Sequence, residues 1–382
     1  MRSVHAIAAD QVFDGDNVHR HTAVLIEEDS IVALVPVSEV PTAVTLSTLP
    51  AGAWLAPGFI DVQVNGGGDV LFNDTPTPSG LARIVAAHRR FGTTGLLATL
   101  ISDSHQKMRT ALDAVHGAGP SAGVLGIHFE GPFLSRERPG VHDPAMIRTP
   151  SAEDLALLMS SHTTTLVTLA PEVVPPGFIA QLTACGIRVA LGHSMATYDQ
   201  TRFALSQGLT GFTHLFNAMR PLESREPGPI AAALEAEDAF FGMIVDGAHV
   251  HPAMLRLALR GKAKPLLVTD AMPPVGGSQE TFTLFGQAIK REGSSCIRAD
   301  GRLAGSALDM ACAVHNCVAM LDVPLTCALR YASTQVANFL GLGDRFGRLK
   351  PGYRADMVAF HAPAMRVIAT WVAGRTSAGA AD

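Results

Sequence analysis

The sequence predicts an α/β protein, a (β/α)8 TIM barrel with a small β domain built from both chain ends. Three observations predict it. The middle of the chain alternates short apolar runs with longer helical stretches, the rhythm of βα units. Eight such runs can be counted, the number of strands in a closed parallel barrel. Both ends read instead as β-structure punctuated by Gly and Pro. At 382 residues the chain has room for one large barrel and a smaller partner. A doubly wound open sheet is the structural alternative, but no GxGxxG motif opens a first helix to support it.

Taken in order, "HTAVLIEEDSIVALVP" reads as two short strands around the turn Glu28-Asp29-Ser30. The eight barrel runs are "FIDVQVN", "TGLLATLI", "GVLGIHF", "TLVTLAP", "IRVALGH", "GFTHL", "GMIVD" and "PLLVTD". Several are almost continuously apolar, as parallel strands buried on both faces should be. The segment "TFTLFGQAIKREGSSCIRADGRL" breaks the rhythm and is expected to form a small β-insert, near 280–303. "MACAVHNCVAML" and "LTCALRYASTQVANFLGL" read as helices. "GRLKPGYRADMVAFHA" and "RVIATWVAGR" return to β-structure, and the Ala/Gly-rich tail after Gly374 is expected to fray. Residues 1–54 with 345–382 are thus expected to form the small domain, and 55–344 the barrel.

Composition excludes several classes. Hydrophobic residues make up 47% and charged ones 16%, which argues for a globular protein and against disorder. A net charge of -5 leaves no basic footprint for nucleic acid. No apolar run reaches membrane-spanning length. Asp10 and Asp14 interrupt the N-terminal segment before a secretory apolar region can form. Cys185, Cys296, Cys312, Cys317 and Cys327 make no CxxC pair and read as free thiols in a reducing compartment. A cytoplasmic protein is expected.

The chemistry follows the apolar runs. "GIHFEGP" delivers Glu130, "VALGHS" His193, "GFTHLFNAM" His214 and "LLVTDAM" Asp270. Each lies at the C-terminal end of a strand, the face on which barrel enzymes build their sites. One Glu and two His supply the three protein ligands of an open catalytic metal site. Singly, each has a plainer reading: a hydrogen-bonded structural histidine, a carboxylate bonding the Gly131-Pro132 turn, or a helix N-cap at Asp270. Four such groups on four strands point to a metal-dependent hydrolase. Asp270 would then move protons, and His142, from the loop "SRERPGVHD", would steady the developing oxyanion. Asn217, Arg220 and Arg225 follow His214, while His249 and His251 follow the next strand. Loop arginines suit phosphate, though solvated surface residues explain them equally well.

"PGFIDVQVNG", "HFEGPFLS", "LGHSMAT", "THLFNAMRPL", "DGAHVHP", "VTDAM" and "GRLAGSAL" stand in this order along the chain. The ordered set, from about Gly58 to Leu308, resembles the N-acetylglucosamine-6-phosphate deacetylase family of the amidohydrolase superfamily. The tail "GRLKPGYRADMVAF" matches the superfamily's closing strand. The resemblance implies a barrel with a flanking β-sandwich and hydrolysis of the acetamide of a phosphosugar. It implies that Glu130, His193 and His214 hold a divalent metal, zinc above iron or another ion, and that Asp270 is the general base and acid. It further implies that His142 polarises the acetyl carbonyl, with Val141, Asn217 and Ala218 against the substrate. Arg225 and His249 would take the phosphate, one of them across a homodimer interface, and Ala307-Leu308 would close over the acetyl group. Some members carry His-x-His on the first strand and bind two metals. Gln63 and Asn65 stand there in this chain, which implies one metal per subunit, because neutral amides are poor zinc partners beside imidazoles.

Overall fold

A computed structural model describes residues 4–376; residues 377–382 of the Ala/Gly-rich tail lie outside the described range. The eight expected barrel runs are all strands. They are β1 (Phe59–Val64), β2 (Thr93–Ile101), β3 (Val124–Glu130), β4 (Thr164–Leu169), β5 (Arg188–Leu191), β6 (Gly211–Phe212), β7 (Phe240–Met243) and β8 (Lys264–Leu267). Each pairs in parallel with its neighbour, from β1 to β8 in chain order. Between β8 and β1 the wall is completed just past the strand ends, by a parallel bridge between Val64 and Ala271 and a bond from Asn65 N–H to Ala271 O at 2.9 Å. The barrel therefore closes at the level of Asn65 and Asp270.

The strands are apolar because both faces are covered. All residues of β1, β2 and β3 are buried. Large side chains such as Phe129, Phe212 and Phe241 fill the interior or the layer beneath the outer helices. Close packing leaves no space for a side chain at Gly126, where a Cβ would stand 1.9 Å from the Thr164 carbonyl oxygen. Helices between strands start on recognisable caps. Ser151 with Asp154 and Thr197 with Gln200 form reciprocal capping boxes for Ala152–Met159 and Tyr198–Ser206.

Both chain ends meet in one eight-stranded sheet. Its path runs from Arg375–Thr376 through Arg366–Val372, Met357–His361 and Ala53–Pro57 to Val4–Phe13, Val18–Glu27 and Ser30–Pro36. Val4–Phe13 pairs with Thr45–Thr48 through His5–Ala8 and with Ala53–Pro57 through Gln11 and Val12. Ile7, Val24, Ile26, Leu55, Met357 and Trp371, from both ends of the chain, share one core. Ala53–Pro57 leads straight into β1, so the sheet anchors the first barrel strand. We propose that 1–54 with 345–382 and 55–344 act as separate domains, with Ala53–Pro57 crossing the line between them.

The expected β-insert is a four-stranded antiparallel sheet: Thr281–Leu284, Gln287–Glu292, Ser295–Arg298 and Leu303–Ser306. Its last strand returns to the barrel, where Ser306 N–H bonds Asp270 O at 2.9 Å. The helical reading after it holds, with a break at Ala332-Ser333 between Leu325–Tyr331 and Thr334–Leu340.

Candidate active site

Four strand ends bring Glu130, His193, His214 and Asp270 to one mouth. Glu130 is the last residue of β3. His193, His214 and Asp270 follow β5, β6 and β8 within three residues and adopt left-handed backbone, with φ of 50°, 32° and 52°. Glycine takes this conformation most freely; Asn, Asp and His are the side chains found there more often than others, still at a cost of about 1–3 kcal/mol each. The turn takes each side chain off the barrel wall.

Three donor atoms converge. Glu130 Oε1 lies 2.9 Å from His214 Nε2 and 3.1 Å from His193 Nε2, and the two Nε2 atoms are 3.1 Å apart. Ligands at about 2.0–2.2 Å from a tetrahedral ion would stand roughly 3.3–3.5 Å apart. His193 Nδ1–H donates to Arg138 O at 2.8 Å, which leaves the Nε2 lone pair facing the cluster, as a metal ligand requires. A buried carboxylate and two imidazoles this close need a cation or shared protons between them. These residues fit a divalent ion, and they are the group able to hold one among the described residues. Burial works to raise the Glu130 carboxyl, but its bonds to His193 and His214 outweigh it and hold it well below the usual range.

Asp270 stands beside the cluster. Its Oδ1 accepts from Asn65 Nδ2 at 2.7 Å and from Gln63 Nε2 at 3.2 Å. Gln63 Nε2 also lies 3.2 Å from each Glu130 oxygen. The two first-strand amides therefore present N–H groups, not lone pairs, to both carboxylates. They brace Asp270 and leave its Oδ2 for the cavity. Burial, then the Glu130 charge, pushes the Asp270 carboxyl up to about 6.

His142 completes the ring of groups. Its Nδ1 accepts from the Ser102 backbone N–H at 3.1 Å and lies 2.7 Å from Ser102 Oγ. An acceptor Nδ1 places the proton of the neutral ring on Nε2, so Nε2 is a donor. Burial, then His193, lowers the ring to about 3 and keeps it neutral.

A cavity of about 160 Å3 opens over this floor. Asn65, Val141, His142, Asn217, Ala218 and His249 line it with the cluster and Asp270. Leu303 and Gly305 of the β-insert form a wall, while the adjoining Ala307 and Leu308 are buried behind it. Arg225 is exposed and outside the lining of its own chain's cavity. Arg220 is a structural residue, its Nε donating to Met195 O at 2.9 Å. His251 caps Pro252–Ala258 through Ala253 N–H.

Three buried groups escaped the sequence reading. Asp61, inside β1, accepts from Thr269 Oγ1–H and from the Gln63 and Thr269 backbone N–H groups. It ties β1 to the residue before Asp270, and burial pushes its carboxyl up to about 7. His128 spans the barrel between Thr99 Oγ1, at 3.1 Å, and Thr168 Oγ1, at 2.8 Å. Asp246 bonds His249 Nδ1 at 2.7 Å. Strand periodicity could have found the first two, because Asp61 shares a side with Gln63 and Asn65, and His128 with Glu130. Asp246 ends the "GMIVD" run, as Asp270 ends "PLLVTD".

A parallel barrel with one carboxylate and two imidazoles at its C-terminal mouth, and a braced aspartate beside them, defines a metal-dependent hydrolase. The chain belongs to the amidohydrolase family, whose model matches residues 54–377. It is 43% identical over 325 residues to N-acetylgalactosamine-6-phosphate deacetylase of Shewanella sp. (strain ANA-3), covering 84% of this chain and 82% of that one. It is 34% identical to N-acetylglucosamine-6-phosphate deacetylase of Haemophilus influenzae, covering 94% and 95% of the two chains. The crystal structure of N-acetylglucosamine-6-phosphate deacetylase from Pasteurella multocida superposes with a TM-score of 0.94 at 32% identity, over 98% of this chain and 99% of that one. No helix among the described residues is long and apolar enough to cross a membrane.

Proposed function

We propose that the protein hydrolyses the acetamide of N-acetyl-D-glucosamine 6-phosphate to D-glucosamine 6-phosphate and acetate, in amino-sugar metabolism in the cytoplasm. The observation that carries the proposal is the convergence of the ligand triad, Asp270 and His142 on one cavity, in a chain whose relatives bear this activity by name. A divalent ion held by Glu130, His193 and His214, with zinc the best match to the donor set, would acidify the attacking water and polarise the acetyl carbonyl. Asp270 Oδ2 takes the water's proton and delivers it to the amide nitrogen as the C–N bond breaks. Asn65 and Gln63 hold the carboxylate in place through Oδ1 during both transfers. His142 Nε2–H donates to the carbonyl oxygen as negative charge gathers on it. One ion per subunit suffices, because Gln63 and Asn65 turn N–H donors toward the carboxylates where a second ion would need lone pairs. Arg225, outside its own cavity, would reach the phosphate from the second subunit of a homodimer.

The 43% identity to an N-acetylgalactosamine-6-phosphate deacetylase favours a second reading, the C4 epimer of the same phosphosugar. Acetate release is measured from both 6-phosphates and from unphosphorylated N-acetylglucosamine, alongside metal content. Release from the glucosamine derivative with about one metal per chain supports the first reading. A strong preference for the galactosamine derivative replaces it with the second. Hydrolysis of another N-acyl amine alone refutes both.

A further inference from the structure

A hexosamine 6-phosphate brings a dianion into the cavity, yet none of the described residues lining that cavity is Lys or Arg. The charge of an ion on the ligand triad would be offset at the floor by Glu130 and Asp270. Apart from the ligand histidines and neutral His142, the one basic side chain in the lining is His249. Its surroundings are built for a purpose the ligand triad does not need. The Asp246 side chain is fully buried, and that of His249 is 6% exposed. Asp246 Oδ1 accepts from the Ala248 and His249 backbone N–H groups, both at 2.9 Å, while Oδ2 takes His249 Nδ1–H at 2.7 Å. The carboxylate therefore fixes the loop, the ring's orientation and its tautomer together. With Nδ1 committed, Nε2 is the free ring nitrogen, and a proton there leaves an imidazolium whose charge Asp246 balances from behind. Asp270, across the cavity, is the other acid whose charge reaches this ring. Burial works to raise the Asp246 carboxyl, but the His249 and backbone bonds outweigh it and keep it ionised.

We propose that Asp246 is a positioning residue that makes His249 the cationic phosphate-recognition group of its own subunit's cavity. The inference rests on the phosphosugar reading above. It assigns the preference for a phosphorylated substrate to a buried carboxylate that never touches the ligand.

The test is Asp246→Asn. The amide can keep an oxygen on the two backbone N–H groups, so the loop holds. It turns an NH2 donor toward His249 Nδ1, which must then accept, leaving a neutral ring. The kcat/KM preference for N-acetylglucosamine 6-phosphate over N-acetylglucosamine is expected to fall roughly tenfold to a hundredfold, the worth of a charge-assisted hydrogen bond. The loss should lie in KM for the phosphorylated substrate. In a His249→Gln background, Asp246→Asn should add less than about twofold further loss, because residues that act through one another are not additive. An unchanged preference in Asp246→Asn, or full additivity with His249→Gln, overturns the inference. If the unmodified enzyme shows no preference for the phosphorylated sugar, the phosphosugar reading falls and the inference falls with it. Should Asp246→Asn not fold, His249→Gln alone decides, and a retained preference there refutes the proposal.

Discussion

Replacing Asp270 by Asn separates proton transfer from everything else the site does. Asn65 Nδ2 and Gln63 Nε2 both donate to Asp270 Oδ1, and an asparagine oxygen accepts those bonds unchanged. Asn is also among the few residues that tolerate the left-handed backbone at this position, where φ is 52°. The change is therefore confined to the cavity side, where an NH2 group replaces the oxygen that receives the water's proton. General acid–base catalysis is worth about 10²–10⁴ in rate, and both transfers in this reaction use the same carboxylate. The expected loss in kcat lies at the upper end of that range, with metal content and melting temperature near those of the wild type. Acetate release under saturating substrate measures kcat, and elemental analysis of the same sample measures the ion. A variant that keeps its metal and turns over within tenfold of wild type would refute the reasoning. A variant that loses its metal would show instead that Asp270 is a ligand.

Further outcomes follow from other features. Chelation should abolish acetate release, with recovery on adding back about one equivalent of zinc, and Glu130→Gln should weaken metal binding at least tenfold in a chelator competition. Gly126→Ala should destabilise the barrel by roughly 3 kcal/mol or more, because the new methyl meets a backbone oxygen on β4 with no room to yield; denaturant unfolding reads this directly. Buried His88, its Nε2 donating to Gly66 O at 2.9 Å, is lowered to about 4 by burial. Below the free value of about 6.5 the unfolded chain takes up a proton that the folded chain refuses, so stability falls as pH drops from 6.5 toward 4. By pH 5 the loss from this group is about 2 kcal/mol. His88→Gln should remove that part of the acid sensitivity, and an unchanged stability difference between pH 7 and pH 5 would exclude it.

Much of this architecture is legible in the chain because its signals are local. Apolar runs of barrel length ending in Glu130, His193, His214 and Asp270 declare strand, direction and mouth together. The groups that brace these residues are harder to read. Asp61 sits within an apolar strand and meets Thr269 only once the barrel closes, 208 residues later in the chain. Asp246 is paired through a three-residue turn, but its meaning depends on which way the His249 ring faces. The first strand, Val4–Phe13, went unread because Asp10 interrupts its alternation, and pairing on both edges supplies what its local pattern lacks. Arg225 shows the converse: a residue type suited to phosphate whose position in a single chain leaves it at the surface.

The left-handed backbone at His193, His214 and Asp270 also bears on how such a protein would change over generations. At each position the working side chain is held against the conformational preference of its own backbone, and glycine would relieve the strain while removing the function. Stability and activity therefore pull in opposite directions at three separate points. A lineage released from selection for catalysis should drift toward Gly or Asn at 193, 214 and 270 and become thermally sturdier as it does so. Retention of His, His and Asp at these three positions is thus a sign of continued use, obtained without any measurement of turnover.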